Sequence, residues 1–224
     1  MISKIVDGTK QAVADIKDGA TVMLGGFGSS GAPFNLVQAL LEQGARQLTI
    51  ICNSVSQVAP LVENKRVVKL IASFPVWVVR SRTNPIEEQV AAGEIVLEMV
   101  PQGTLAERIR TGGAGIPAFY TPTGVGTELE QGKEKRVIDG REYLLERALR
   151  ADVALIKAYK GDRMGNLVYH TTARNYNPII ATAANLTIAE VEEIVEVGQL
   201  DPESIVTPGI FIDRVVKVPK RLQW

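Results

Sequence analysis

At 224 residues, 46% hydrophobic and 22% charged, the chain has the make-up of a soluble globular protein with room for one large domain or two small ones. Its 25 Lys+Arg balance 25 Asp+Glu, so nothing in the net charge supports a nucleic-acid or anionic-membrane partner. The single cysteine, Cys52, excludes an intrachain disulfide; with no long apolar leader and no membrane-length run, a cytoplasmic protein is expected.

In chain order, Ile5, Ala12, Val13 and Ile16 recur at helical spacing, with Asp15 and Lys17 on the wet side, and predict an amphipathic helix over residues 1–16. Asp18-Gly19 is a turn pair, and Val22-Met23-Leu24 reads as a buried strand. A glycine-dense bend follows, Gly25-Gly26-Phe27-Gly28 and then Gly31. Pro33 falls at the first position of a helix over residues 34–41, where its missing N–H costs nothing, and Gly44 suits the C′ position. Strand, glycine loop and helix N-terminus together offer backbone N–H groups and a favourable dipole to an anion, a phosphate or a developing oxyanion.

Gly26, Gly28 and Gly31 also spell G-x-G-x-x-G in a strand-to-helix setting. A nicotinamide site needs in addition an acidic residue about 20 positions on, at the end of the second strand. That strand, residues 47–51, runs into Cys52-Asn53-Ser54 with no acid, which disfavours NAD.

A looser segment reaches Asn64. Strands are then expected over residues 67–72 and 95–100, with helices over 84–92 and 105–110, the second ending in Gly112-Gly113. Such alternation predicts an α/β fold, an open and mostly parallel sheet covered by helices on both faces. Residues 112–126, rich in glycine, proline and threonine, read as a functional loop. Residues 136–145, pivoting on Asp139-Gly140, read as a β-hairpin, so a small β-rich flap is inserted in one domain spanning 1–224. Further on come a strand at 153–157, a turn at 160–167 with a second strand after it, a segment at 190–197 that its period leaves open between strand and helix, and a terminal strand at 211–218.

Ordinary catalytic groups are scarce. His170 is the only histidine, which argues against a His-based zinc site, and with no acid or nucleophile beside it a surface or hydrogen-bonded role fits better than a general base. Cys52, flanked by an apolar strand, reads as a buried structural thiol. Trp77 and Trp224 stand too far apart for a stacking platform.

Three stretches taken together resemble one family. The segment from Asp18 to Pro33, the run Pro101-Gln102-Gly103-Thr104-Leu105-Ala106-Glu107-Arg108-Ile109-Arg110 continuing from Gly112 to Thr121, and Ala173-Arg174-Asn175 with the later Glu190-Val191-Glu192-Glu193-Ile194-Val195 are similar to the A (alpha) subunit of class I coenzyme A transferases of the 3-oxoacid and 3-oxoadipate type. The resemblance implies the isomerase-like fold of that family and the movement of coenzyme A from succinyl-CoA, or another acyl-CoA, to a 3-oxoacid by a ping-pong route. No metal and no cofactor beyond the CoA thioester substrate is implied. It also implies a partner, the B (beta) subunit, in an α2β2 or larger heteromer. There a glutamate in a Ser-Glu-Asn-Gly motif carries the coenzyme as a glutamyl-CoA thioester. This chain lacks the motif: Glu63-Asn64 is preceded by Val62 and followed by Lys65.

By the same resemblance Gln102 is the catalytic candidate, a donor to the oxyanion hole. An amide N–H₂ can be aimed at a tetrahedral oxyanion without pairing with it permanently. From its neighbours alone, Gln102 could equally be a solvated turn residue beside Pro101. Asn53, Gly26, Gly28 and Gly31 are the substrate-binding candidates, while Ser54 stands where many relatives have a second asparagine. Glu107, Arg108 and Arg110 match the family but suit a helix-face salt-bridge set. Ser73-Phe74-Pro75 and the turn from Lys160 to Leu167 lean toward 3-oxoadipate, leaving the acceptor open between that acid and acetoacetate. The alternative is a non-catalytic ligand-binding module of the same fold, for which an oxyanion donor at Gln102 would have no use.

Overall fold

A computed structural model describes residues 3–75 and 85–219. The first half alternates strand and helix: α1 (Thr9–Val13), β1 (Thr21–Leu24), α2 (Phe34–Gln43), β2 (Leu48–Ser54), α3 (Ala59–Glu63), β3 (Val67–Phe74), α4 (Pro85–Ala91), β4 (Val96–Met99) and α5 (Gln102–Gly113). Three short strands follow, β5 (Ala118–Thr121), β6 (Lys135–Ile138) and β7 (Arg141–Arg147). The chain then returns to the main body through β8 (Ala151–Asp162), β9 (Leu167–Val168), α6 (Asn177–Ala181), β10 (Ala184–Val195) and β11 (Arg214–Lys217).

The main sheet runs β11-β10-β8-β1-β2-β3-β4, every neighbour pair parallel, and β9 adds antiparallel to β8. A central parallel strand must be apolar on both faces, and Val22, Met23 and Leu24 are all fully buried. Because successive side chains alternate, Val22, Leu24, Ile50 and Leu155 pack in one core with residues of α1, α2 and α3. Met23, Ile51, Ile71 and Ile156 pack in a second core with residues of α5 and α6. The open parallel sheet with helices on both faces is thus the observed architecture. Among the described residues no helix is long and apolar enough to cross a membrane.

Several local expectations need correcting. The N-terminal helix is confined to Thr9–Val13, because Gly8 at φ 88 interrupts it and Ile5 instead bridges to Val215 beside β11. Pro33 stands one place outside α2, at its N-cap. The loose segment after Ser54 is a 3₁₀ turn, Val55–Gln57, followed by α3. Helix α5 begins three residues earlier than its apolar pattern suggests and continues through Gly112 and Gly113. Those glycines do not stop the helix. A Cβ at Gly112 would collide with the Leu149 carbonyl, and one at Gly113 with Thr182, so they permit close packing. The ambiguous segment at 190–197 is strand as far as Val195, the end of β10, which pairs with β8 along nearly its whole length. Trp77, Trp224 and the expected helix start at Asn84 lie outside the described residues.

The flap is a three-stranded antiparallel sheet, β5-β7-β6, with Asp139-Gly140 at the hairpin tip. Part of the expected loop over 112–126 is therefore strand β5, which pairs with β7 some 25 residues away. The flap is tied to the body through Arg108 of α5, which also stands 3.8 Å from Glu146 of β7. Arg108 on α5 holds Glu98 at 2.8 Å and donates to the Arg147 carbonyl at 2.8 Å, while the buried Glu146 takes Lys133 at 2.5 Å. Only Glu107 and Arg110 form the expected exposed helix-face pair.

Candidate active site

In an open parallel sheet the ligand crevice lies beyond the carboxyl ends of the strands. Here β1 ends in the glycine loop and β2 ends at Asn53-Ser54. The Gly25 amide continues the β1–β8 ladder by donating to the Leu155 carbonyl, and its own carbonyl accepts from Gln57 Nε2 at 2.6 Å. The Phe27 amide donates to the Ser30 carbonyl and the Ser30 amide returns the bond to Phe27, so Gly28 sits at the tip of a tight turn.

The three candidate glycines do different things. Gly26 has φ 103, and a Cβ there would lie 2.8 Å from the Ala32 backbone. Gly31, at φ 65, is pressed against the Ala173 carbonyl and the Asn177 side chain. Gly28, at φ 58, has open space around it. Gly26 and Gly31 are thus demanded by packing, whereas Gly28 answers only to backbone conformation.

Gln102 occupies the first turn of α5, directly after Pro101 at the N-cap. Its Nε2 donates to Asn53 Oδ1 at 2.9 Å. Asn53 is 2% exposed, and its own Nδ2 has no hydrogen-bond partner. Enclosed amide donors are normally satisfied, so an orphan at a strand end marks a place where a polar ligand or water is expected. The backbone carbonyl of Gln102 accepts from the Tyr176 hydroxyl at 2.9 Å. The structure therefore joins Gln102 and Asn53 directly.

Neither Cys52 nor His170 joins the site as a reacting group. Cys52 is buried and burial pushes its thiol up to about 12, so no useful thiolate forms near neutrality. His170 is exposed between β9 and a 3₁₀ turn, its ring 5.3 Å from that of Tyr159.

A residue that local pattern could not single out is Glu190, in β10 and 0% exposed. Helix α2 starts without a side-chain cap of its own and without an acid in its first turn. Glu190 supplies both from across the fold: its carboxylate accepts from the Leu36 amide at 2.9 Å and from Asn35 Nδ2 at 3.0 Å. The strand also carries Glu192 and Glu193, so local pattern does not set Glu190 apart from its neighbours; only the fold does.

Burial nonetheless dominates and pushes the Glu190 carboxyl up to about 7, against the pull of these donors and of Lys157. Between its unfolded value near 4.5 and about 7, the folded state holds the proton that the unfolded state has lost. Stability from this group is therefore full at acid pH and declines as pH rises through about 7, by on the order of 3 kcal/mol. Urea unfolding at pH 5 and pH 8 should show that decline, and Glu190→Gln, neutral throughout, should flatten it. An unchanged pH dependence in the variant would contradict this assignment.

The strand-end crevice of this open parallel α/β sheet is thus bounded by the glycine loop and by the Gln102–Asn53 amide pair. The chain belongs to the coenzyme A transferase family, whose pattern matches residues 6–218. It is 52% identical to the A subunit of the 3-oxoadipate CoA-transferase of Pseudomonas putida, over 97% of this chain and 95% of that protein. It is 48% identical to the A subunit of the probable succinyl-CoA:3-ketoacid coenzyme A transferase of Bacillus subtilis (strain 168), over 96% and 90% respectively. The fold is shared with an acyl-CoA transferase from Escherichia coli O157:H7 crystallised as a thioester complex with CoA, at a TM-score of 0.84 and 24% identity. This chain, 99% of it aligned, spans only 48% of that longer protein.

Proposed function

We propose that residues 1–224 form a single domain, the A (alpha) subunit of a heteromeric CoA-transferase, which moves coenzyme A from succinyl-CoA or another acyl-CoA to a 3-oxoacid such as acetoacetate or 3-oxoadipate. The observation that carries this reading is the Gln102–Asn53 amide pair at the strand-end crevice. The glutamate comes from a partner, the B (beta) subunit, in an α2β2 or larger assembly. That chains of this fold occur at about twice this length fits an enzyme whose other half is a separate chain here. A cytoplasmic setting fits substrates of this kind, and the CoA thioester needs no further cofactor.

In this mechanism the partner's glutamate carboxylate attacks the thioester carbonyl, and negative charge gathers on the carbonyl oxygen. Gln102 Nε2 has two N–H groups. One is held by Asn53 and fixes the amide, and the other is the donor to that oxygen. Collapse expels the CoA thiolate, which returns to the glutamyl carbonyl and leaves the coenzyme on the enzyme while the first carboxylate departs. The acceptor acid reverses the sequence. The glycine loop supplies the wall of the crevice, with Gly28 at its open tip.

The test is steady-state kinetics of the co-purified subunits with succinyl-CoA against acetoacetate and against 3-oxoadipate. Parallel double-reciprocal lines are expected with at least one of the two acids, the mark of a covalent intermediate between substrates. Intersecting lines, or no transfer to either acid, would remove the reading.

A further inference from the structure

Three consecutive residues, Asn175, Tyr176 and Asn177, touch both halves of the candidate site. Asn175 Nδ2 donates to the Ser30 carbonyl at 3.0 Å, and Asn177 Nδ2 donates to the Gly31 carbonyl at 3.0 Å, so two of them grip the glycine loop. Between them, the Tyr176 hydroxyl reaches the Gln102 carbonyl at 2.9 Å. The segment is itself pinned to the sheet, because Asn177 Oδ1 accepts from the Lys157 amide of β8 at 3.0 Å. The Tyr176 amide is held by Asn175 Oδ1 at 2.7 Å.

We propose that this tripeptide is a brace that sets the position of Gln102 relative to the glycine loop, with Tyr176 as a positioning residue for the oxyanion donor. The inference rests on the reading of Gln102 given above and adds to it the device that holds the amide in place. Gln102 lies in the first turn of α5, where the helix has the fewest bonds to fix its backbone. Asn53 holds the far end of its side chain and Tyr176 holds the near end, through the backbone. An oxyanion donor is sensitive to displacements well under 1 Å, so pinning the base of the side chain carries a catalytic return. Tyr176 is suited to the task. Its ring belongs to the same buried apolar cluster as Leu105 and Ile109 of α5. Burial also pushes its hydroxyl up to about 12, so it stays a donor at neutral pH.

The test is a double-mutant cycle on the assembled alpha–beta complex. Tyr176→Phe keeps the ring and removes only the donor. It should lower kcat about tenfold and leave KM for acyl-CoA and acceptor within about twofold. In a Gln102→Ala background the same change should cost less than about twofold, because there is no amide left to position. Tyr169→Phe is the structural control. It also deletes a hydroxyl bond, to Thr207 Oγ1 at 2.7 Å, but outside the brace, and should leave kcat unchanged.

A severe Gln102→Ala loss combined with an equal Tyr176→Phe loss in both backgrounds would overturn the brace alone. So would a Tyr176→Phe enzyme indistinguishable from Tyr169→Phe. A Gln102→Ala enzyme of normal kcat would overturn the oxyanion reading, and the brace with it.

Discussion

Purified without its partner, the chain should transfer no coenzyme A beyond the uncatalysed background, a deficit of roughly 10⁶ or more relative to the complex on the usual scale of enzymic acceleration. The physical reason is the make-up of the crevice. Asn53 and Gln102 are amides, which donate and accept hydrogen bonds but do not attack a thioester. The thiol of Cys52 is locked in its protonated form by burial, and the imidazole of His170 lies at the surface against Tyr159. Exchange between labelled CoA and succinyl-CoA, measured for the chain alone and after adding the beta partner, checks the point. Activity should appear only on addition and should saturate when the two chains reach equal amounts. Robust turnover by the lone chain would show that it carries a nucleophile of its own.

Replacing Gln102 by alanine in the complex should reduce kcat by on the order of 10²–10³, or about 3–4 kcal/mol, with much smaller changes in KM. In the proposed role the amide meets charge that exists only in the transition state, so ground-state binding should be largely spared. Alanine also strips Asn53 of its partner, and Asn53 is buried, so disturbed packing is a second source of loss. Gln102→Glu separates the two causes. Asn53 can turn its unpartnered Nδ2 toward the new carboxylate, which preserves the contact, while the carboxylate repels an oxyanion. The glutamate variant should therefore be folded and assembled, yet at least as slow as the alanine one. A loss under tenfold in both variants would return Gln102 to the role of an ordinary turn residue.

The parts of this fold that are legible in the sequence are those in which local pattern and tertiary environment agree. Strand, glycine bend, proline and helix from Thr21 to Gln43 follow from turn chemistry and from an apolar run that only a doubly covered strand can tolerate. Strand β5 is hidden because its four residues owe their conformation to β7, and a Gly-Pro-Thr context masks the pairing. The start of α5 is hidden because Gln102-Gly103 is a poor helix opening by propensity, and it is held by Pro101 before it and Tyr176 from outside. For the site, family resemblance points to Gln102 and Asn53, but their mutual bond exists only in the fold. Glu190 and Tyr176 act on groups 154 and 74 residues away, at distances no local periodicity can encode.

The order β11-β10-β8-β1-β2-β3-β4 puts the first strand of the chain in the middle of the sheet, between β2 and β8. During synthesis this has a cost in time. Strands β1 to β4 can pair as they leave the ribosome, but the other edge of β1 waits for Val153, Ala154 and Leu155. At ordinary elongation rates that wait lasts roughly ten seconds. Throughout it, the nascent protein carries a bare, apolar, ladder-ready edge along Val22, Met23 and Leu24, open to pairing with a neighbouring chain on the same polysome. The flap, a hairpin with one added strand, is made just before β8 and can form from contacts within itself. The vulnerable species in the life of this protein is therefore the half-made chain, and it stays vulnerable until its eighth strand arrives.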